Sequence, residues 1–221
     1  MAHITILGGH GKIALLLAPL LVARGDTVTS VFRNPDHTEE VAATGATATV
    51  CDIERASTEE LAELVTGADA IVFSAGAGGG NPTRTYAVDR DAAIRSIRAA
   101  DAAGVRRYVM VSYLGAGPDH GTPADSSFFP YAEAKAAADS ALRAAPVDWT
   151  IVMPGRLTLD PASGRIDPTA VRGPDIPGTS RENVAQVVAE VLAQPATAGH
   201  ELPFTDGPVP IPDAVRDLTT S

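Results

Sequence analysis

Short apolar runs alternate along the chain with longer segments in which apolar residues recur at helical spacing. Strands are predicted at residues 3–7, 27–32, 46–50, 69–74, 105–112 and 147–153, with a short seventh near 200–204. Helices are predicted at about 11–24, 57–66, 84–103, 130–145 and 180–193. Strands that alternate with helices of this length form a parallel sheet covered on both faces. The pattern therefore predicts an α/β protein with a doubly wound parallel sheet.

Three segments break this regularity. The first helix contains Pro19, which removes a backbone hydrogen bond, so we expect a bend there. The segments 115–127 and 158–178 are rich in Gly and Pro and are predicted to be irregular, as is the tail after residue 204. No linker divides the 221 residues, which predicts one domain over 1–221 with small substrate-side elements in 115–130 and 155–221.

Composition narrows the class of partner. The formal net charge of −10 argues against nucleic acid and against an anionic membrane surface. Cys51 is the one cysteine, so no internal disulfide can form, as is typical of a reducing compartment. The first residues lack both a charged leader and a bilayer-long apolar stretch. We expect a cytoplasmic protein, a monomer or homodimer, that acts on a small molecule.

The first strand ends in a glycine-rich turn that leads directly into an apolar helix. A helix start offers backbone N–H groups and a favourable dipole to a phosphate, and glycines allow close approach. This order predicts nucleotide binding, with the glycine turn presenting bare amide hydrogens to a diphosphate; the alternative is an ordinary connection between strand and helix. His10 and Lys12 are placed either to reach phosphate or to face solvent. The turn comprises Gly8, Gly9, His10, Gly11, Lys12 and Ile13.

Further candidates follow the next strands. Arg33 stands where an acidic residue usually meets the ribose of NAD, and a guanidinium there favours the 2′-phosphate of NADP. Its alternative is an ordinary surface arginine. Asp52 ends the third strand, either to accept from an adenine amino group or to open a turn. The glycine-rich run 75–80 either passes close to a cofactor or is a flexible loop.

Tyr131 and Lys135 are four residues apart on a predicted helix, so they lie on one face. An ammonium beside a phenol favours the phenolate, which predicts a lowered Tyr131 pKa and a role as general acid–base. Lys135 can also donate to a cofactor ribose. Ser112, at the end of the fifth strand, is a candidate to hold a substrate carbonyl. The alternatives are a surface pair on an Ala-rich helix and an ordinary strand-end serine.

The sequence lacks the motifs that indicate two other kinds of site. No Cys/His or paired-His spacing indicates a metal site, and no Gly-x-Ser-x-Gly elbow indicates a hydrolase. Lysine use is also informative, because 15 of the 17 basic residues are arginine and Lys12 and Lys135 are the two lysines. One of these two stands where a compact ammonium is useful and a guanidinium fits badly.

Several stretches form a recognisable set: Ile-Leu-Gly-Gly-His-Gly-Lys-Ile-Ala, Val-Phe-Arg-Asn-Pro, Ala-Gly-Val-Arg-Arg-Tyr-Val-Met-Val-Ser, Tyr-Ala-Glu-Ala-Lys, Trp-Thr-Ile-Val-Met-Pro-Gly-Arg-Leu and Thr-Ser-Arg-Glu-Asn-Val-Ala. As a set they resemble the atypical short-chain dehydrogenase/reductases, in particular the small NAD(P)H-binding, NmrA-like branch. The resemblance covers nearly the whole chain and implies a Rossmann-type domain. It implies Ser112, Tyr131 and Lys135 as catalytic positions. It also implies cofactor contacts from Arg33, Asp52, Ile53, Ser74, Ala75, Gly76, Pro154, Gly155, Arg156 and Leu157.

The chain departs from the family pattern in three places. Ala14 stands at the third glycine position, Ser74-Ala75-Gly76 replaces an Asn-Asn-Ala-Gly element, and Met153 stands where arginine is usual. The hypothesis is an NADP-dependent oxidoreductase that moves a hydride between the cofactor and a small carbonyl or conjugated substrate. The alternatives are an NmrA-like redox sensor with little turnover and a sugar-nucleotide epimerase or dehydratase, which usually needs a larger substrate domain.

Overall fold

The computed structural model describes residues 1–173 and 177–219. The strands are β1 His3–Leu7, β2 Thr27–Phe32, β3 Thr47–Val50, β4 Ala70–Phe73, β5 Arg107–Val111, β6 Asp148–Pro154, β7 Leu157–Thr158, β8 Arg165–Asp167, β9 Thr179–Ser180, β10 His200–Asp206 and β11 Val209–Pro210. The helices are α1 Lys12–Ala23, α2 Thr38–Ala42, α3 Thr58–Val65, α4 Pro82–Thr85, α5 Ala93–Ala102, α6 Phe129–Arg143, α7 Arg181–Ala193 and α8 Ile211–Leu218. Two 3₁₀ turns, Pro35–His37 and Pro195–Thr197, and a π-helical segment, Tyr86–Ala92, complete the described elements.

Nine strands form one sheet in the order β11-β8-β10-β6-β5-β4-β1-β2-β3, and β7 and β9 form a separate small pair. The seven strands from β10 to β3 run parallel, while β8 and β11 add an antiparallel edge. Strand order reverses at β1, between β2 on one side and β4 on the other. This is the Rossmann-like arrangement, and it confirms the predicted fold class.

Alternate residues of the central strands feed two cores, as the two-residue period of a strand requires. Ile71 and Phe73 of β4 pack with α3, α5 and α6, whereas Ala70 and Val72 pack on the side of α1, α7 and α8. Each core is built from buried aliphatic residues of strands and helices together. Helices therefore cover both faces of the sheet, which leaves the strand ends as the place for a ligand.

The structure differs from the predicted elements in four segments, of which the first is the short helix α2, where no helix was predicted. The tail after residue 204 was predicted to be irregular, but β10 runs to Asp206 and is followed by β11 and α8. The segment 158–178 contains β8, and residues 174–176 of it lie outside the described residues. The helix predicted over 84–103 begins at Pro82 and includes a π-helical segment, Tyr86–Ala92, between α4 and α5.

Candidate active site

The carboxyl ends of the parallel strands are aligned at one edge of the sheet. In the strand register Leu7 lies beside Val31 and Phe73, and Val111 lies beside Val152. The residues that follow these strands therefore meet at this edge, which is where doubly wound sheets bind ligands.

Gly8 allows the turn after β1 to pass unusually close to the turn after β4. Its φ is +93°, and a Cβ added there would lie 2.6 Å from backbone atoms of Ala75. Gly9 is equally confined, because a Cβ would lie 2.7 Å from Cβ of Ser30. A glycine at these two positions thus brings three strand ends together.

The expectation that the glycine amides themselves face a diphosphate is wrong. The N–H groups of Gly8 and Gly9 both donate to Val31 O, and Gly11 N–H donates to Gly8 O. Among the described residues 8–14, the N–H groups of His10, Lys12, Ile13 and Ala14 have no hydrogen-bond partner, and the last three form the first turn of α1. Gly11, the N-cap, has no side chain to satisfy them. The amides at the start of α1 are therefore available to donate hydrogen bonds to a phosphate.

A pocket of about 270 Å³ lies over this turn and the ends of β2 and β3. It is lined by Gly8, His10, Gly11, Val31, Phe32, Arg33, Asn34, His37, Cys51, Asp52, Ile53, Glu54, Ser74, Ala75, Gly76, Arg84 and Val88. Nine of the residues predicted to bind cofactor are among them. The lining extends from the α1 start to Arg33, so a nucleotide lying along it has its ribose end near the guanidinium.

Charged side chains at this pocket are paired with one another. Arg33 and Arg84 both contact Glu54 Oε2, at 3.4 and 3.2 Å. His10 Nε2 lies 2.7 Å from Glu40 Oε2, and its ring stacks on His37 with centroids 3.5 Å apart. Sequence reasoning missed Glu54, Arg84 and His37, which come from three separate segments. Asp52 accepts from Glu54 N–H at 3.2 Å, so it does open a turn while also lining the pocket.

A second pocket, of about 770 Å³, continues from the first and shares Ser74, Ala75 and Gly76 with it. The rest of its lining is Ile13, Gly78, Gly79, Gly80, Asn81, Pro82, Thr85, Asp89, Val111, Ser112, Ala124, Ser126, Ser127, Phe128, Pro130, Tyr131, Lys135 and Leu157. The structure thus brings the three predicted catalytic side chains into one cavity beside the first pocket.

Ser112 and Lys135 are buried and already hydrogen bonded. Lys135 Nζ donates to Val111 O at 2.9 Å and contacts Met110 Sδ at 3.4 Å. Ser112 Oγ is 2.5 Å from Oδ2 of Asp139, a fully buried carboxyl on α6. These contacts fix the rotamers of both side chains at the floor of the pocket.

The predicted lowering of the Tyr131 pKa is wrong. Burial raises the pKa of the phenol, and the neighbouring Asp89, Asp139 and Tyr113 raise it further. The ammonium of Lys135 is committed to Val111 O and does not offset these effects. Tyr131 packs against the rings of Tyr113 and Phe128 at 5.5 and 5.2 Å between centroids. It is therefore a neutral phenol, suited to donate a proton rather than to accept one.

Asp89 is a pocket residue that sequence reasoning missed. It lies in the π-helical segment, is 2% exposed, and accepts from Ala77 N–H at 3.0 Å. Burial raises the pKa of its carboxyl, against the opposing effects of the Ala77 hydrogen bond, Lys135 and Arg84. The acid stands in a helix with other polar residues, where a carboxylate usually faces solvent. Only the chain path beneath the 75–80 loop places it in the cavity.

Some predicted cofactor residues lie outside both pockets. Gly9, Lys12, Pro154, Gly155 and Arg156 line neither, although Leu157 lines the second. Lys12 and Arg156 are exposed. Gly155 N–H donates to Phe204 O, which holds the end of β6 to β10. The roles of these residues toward a cofactor stay predictions.

A family model described as NAD(P)H-binding matches residues 8–195. This chain belongs to the NAD(P)H-binding family. The match confirms the family resemblance seen in the sequence, and an NmrA-like branch is consistent with it. The turn, both pockets and the three predicted catalytic residues all fall within the matched range.

Relatives and solved structures are similar over their full lengths. The "Uncharacterized sugar epimerase YhfK" of Bacillus subtilis is 33% identical, and the alignment covers 96% of this chain and 98% of that protein. A Bacillus halodurans structure, provisionally named an NAD-dependent epimerase/dehydratase, has a TM-score of 0.90 at 28% identity, covering 99% of this chain and 100% of that one. The oxidoreductase ylbE of Lactococcus lactis has a TM-score of 0.85 at 25% identity, covering 99% and 97%. These names are those of epimerases and an oxidoreductase, and together with the NAD(P)H-binding family model they support an NAD(P)-dependent redox or epimerase-type function.

None of the helices that the structure describes is both long enough and apolar enough to cross a bilayer.

Proposed function

We propose that this protein is an NADP-dependent oxidoreductase that transfers a hydride between the nicotinamide and a small carbonyl or conjugated substrate. The observation that carries the proposal is one cavity lined by Ser112, Tyr131 and Lys135 that continues into the nucleotide pocket. Carbonyl reduction needs the substrate, which accepts the hydride, to lie beside a proton donor and a group that contacts its carbonyl oxygen. This cavity has room for the substrate beside residues for both roles.

The residues present fit a dinucleotide. Unpaired amides at the start of α1 suit a pyrophosphate, and the close approach of Gly8 to Ala75 leaves no room for a Cβ between them. Ser74, Ala75 and Gly76 would lie along the middle of the cofactor, because both pockets share them. Arg33 would contact a 2′-phosphate after leaving Glu54, which favours NADP over NAD. When bound, the nicotinamide supplies or takes up the hydride.

In the reduction direction, Tyr131 donates its phenolic proton to the substrate oxygen as the C=O π bond breaks. The tyrosinate then regains a proton from solvent. Its raised pKa keeps Tyr131 protonated before the step, so little tyrosinate is present to act as the base of the reverse reaction. Ser112 orients the oxygen, and Lys135 holds the end of β5 through Val111 O while stabilising negative charge nearby.

The lining of the second pocket favours a small substrate over a sugar nucleotide. Among the described residues of this lining, Lys135 is the one basic side chain, and it is 1% exposed. The described residues of this lining therefore offer no exposed cationic side chain to pair with the diphosphate of a sugar nucleotide. Phe128, Pro130 and Leu157 instead present apolar surface. The epimerase names of relatives keep sugar-nucleotide chemistry as the second candidate function.

The deciding experiment is a screen of carbonyl, quinone and nucleotide-sugar substrates with NADPH, using wild type and Tyr131→Phe. Loss of a general acid is expected to lower the rate by about 10²–10⁴-fold. Tyr86→Phe is the matched control, because Tyr86 lies outside the lining of both pockets. A Tyr131→Phe protein that keeps the full rate would contradict the proposed acid. Tight NADPH binding without oxidation of any substrate would favour the sensor alternative.

A further inference from the structure

Asp139 is a buried carboxyl below the floor of the second pocket, and it does not line that pocket itself. It lies on α6 one turn after Lys135 and is fully buried. Its Oδ2 is 2.5 Å from Ser112 Oγ, whereas its Oδ1 has no hydrogen-bond partner within the described chain. The carboxyl is therefore half satisfied, and its one hydrogen bond leads directly to a proposed substrate contact.

Charged and titratable groups reach Asp139 from three elements. Burial is the largest cause of the raised pKa of its carboxyl, and Glu201 on β10 raises that pKa further. Lys135 and Arg143, both on α6, oppose it, as does the Ser112 hydrogen bond. Arg143 is itself paired with Glu201 at 2.5 Å, and Lys135 donates to Val111 O. Asp139 in turn raises the pKa of two phenols, those of Tyr113 and Tyr131.

The direction of the hydrogen bond between Ser112 and Asp139 depends on where one proton lies. A serine hydroxyl has a single hydrogen. If Asp139 is ionised, that hydrogen points to Oδ2, and Ser112 cannot donate it to a substrate oxygen. If Asp139 is neutral, its own O–H donates to Ser112 Oγ and frees the serine hydrogen. The neutral form also avoids burying a carboxylate with an unpartnered oxygen, which is the costlier state.

We propose that Asp139 is a positioning residue that holds a proton and donates it to Ser112 Oγ, so that the Ser112 hydrogen turns toward the substrate pocket. This inference rests on the proposed function of the same site. With Asp139 neutral, Ser112 donates to a substrate carbonyl. With Asp139 ionised, Ser112 Oγ can only accept, so carbonyl reduction declines as the pH rises through the pKa of Asp139.

Infrared spectroscopy of the full-length protein tests the position of the proton without any substrate. A protonated carboxyl has a C=O stretch separate from that of a carboxylate. We expect such a band at neutral pH in wild type, its loss in Asp139→Asn, and a shift in Ser112→Ala, where the acid loses its acceptor. Asp89→Asn is the control, because Asp89 is also a buried acid and lines the pocket itself. No band in wild type, or a band that survives in Asp139→Asn and disappears in Asp89→Asn, would overturn the proposal.

The pH profile of carbonyl reduction tests the consequence for Ser112. Asparagine at position 139 keeps a donor toward Ser112 at every pH. We expect the alkaline decline of wild type, up to about 10²-fold for one lost donor, to be absent in Asp139→Asn. In Ser112→Ala, adding Asp139→Asn should have no further effect on the profile. Identical profiles for wild type and Asp139→Asn would contradict the role. If no carbonyl is reduced at all, the proposed function fails, while the infrared bands still decide where the proton lies.

Discussion

At the scale of single residues, Gly8 shows how one position joins two strand ends. Its backbone has a φ that L side chains rarely adopt, and the Ala75 backbone occupies the place of a Cβ. The contact brings together the turn before α1 and the loop that both pockets share. Because a Cβ at Gly8 would clash with Ala75, we expect both cofactor binding and stability to require glycine at this position.

Gly8→Ala is expected to destabilise the protein more than Gly25→Ala does. Gly25 has nearly the same φ, +94°, but nothing lies within 4 Å of its added Cβ. Gly25→Ala therefore measures left-handed strain alone, about 1–2 kcal/mol, and the excess in Gly8→Ala measures the clash with Ala75. Urea unfolding of both variants gives the comparison. Equal losses of unfolding free energy would mean that the close approach is not required.

The residues of the site differ in how far the sequence reveals them. Tyr131 and Lys135 are four apart on one helix, so helical geometry alone places them together. Asp139 bonds to Ser112 across 27 residues of sequence, and Asp89 enters the cavity from a different helix. No local pattern records such pairs. The raised pKa of Tyr131 could likewise not be predicted from the sequence, because burial and carboxyls distant in sequence raise it.

At the scale of elements, α8 is the longer of the two described helices that the sequence did not predict, the other being the short α2. Its buried residues, Ile211, Ala214 and Val215, follow the i, i+3, i+4 spacing of an amphipathic helix. Pro212 stands in the first turn, as is typical of helix starts. These signals were present, but the preceding prolines made the tail look irregular. The helix closes the core formed by α1 and α7.

Ile211→Ala is expected to lower the free energy of unfolding by about 2–5 kcal/mol, since a fully packed aliphatic side chain leaves a cavity. Ile211 is 3% exposed, whereas Leu16, on the outer face of α1, is 37% exposed. Leu16→Ala is thus the matched control, with an expected loss well below that of Ile211→Ala. Chemical denaturation measures both. A similar small loss for the two variants would show that α8 contributes little to the core.

At the scale of the whole molecule, cofactor binding and folding are linked. The pocket gathers the ends of several strands, so a ligand that binds only the folded chain stabilises it. The expected gain is about 2.7 kcal/mol at a ligand concentration 100 times Kd. A thermal shift with NADPH therefore reports binding without any substrate.

Arg33→Ala is expected to reduce the NADPH shift and leave the NADH shift unchanged. The side chain is 53% exposed, so its pairing with a 2′-phosphate is expected to contribute about 1 kcal/mol. Arg55→Ala is the control, because Arg55 is 88% exposed and lies outside the pocket lining. Equal shifts with the two cofactors in wild type would remove Arg33 from its proposed role.

The sequence by itself determined the alternation of strands and helices, the glycine turn after β1 and the Tyr131–Lys135 pair, because each depends on neighbours within a few residues. Tertiary structure alone decided which amides remain free, since Val31 O takes those of Gly8 and Gly9. It also decided the partner of Ser112 and the protonation of Tyr131. These depend on strands and helices far apart in sequence being packed against one another, where burial and hydrogen bonding set the chemistry.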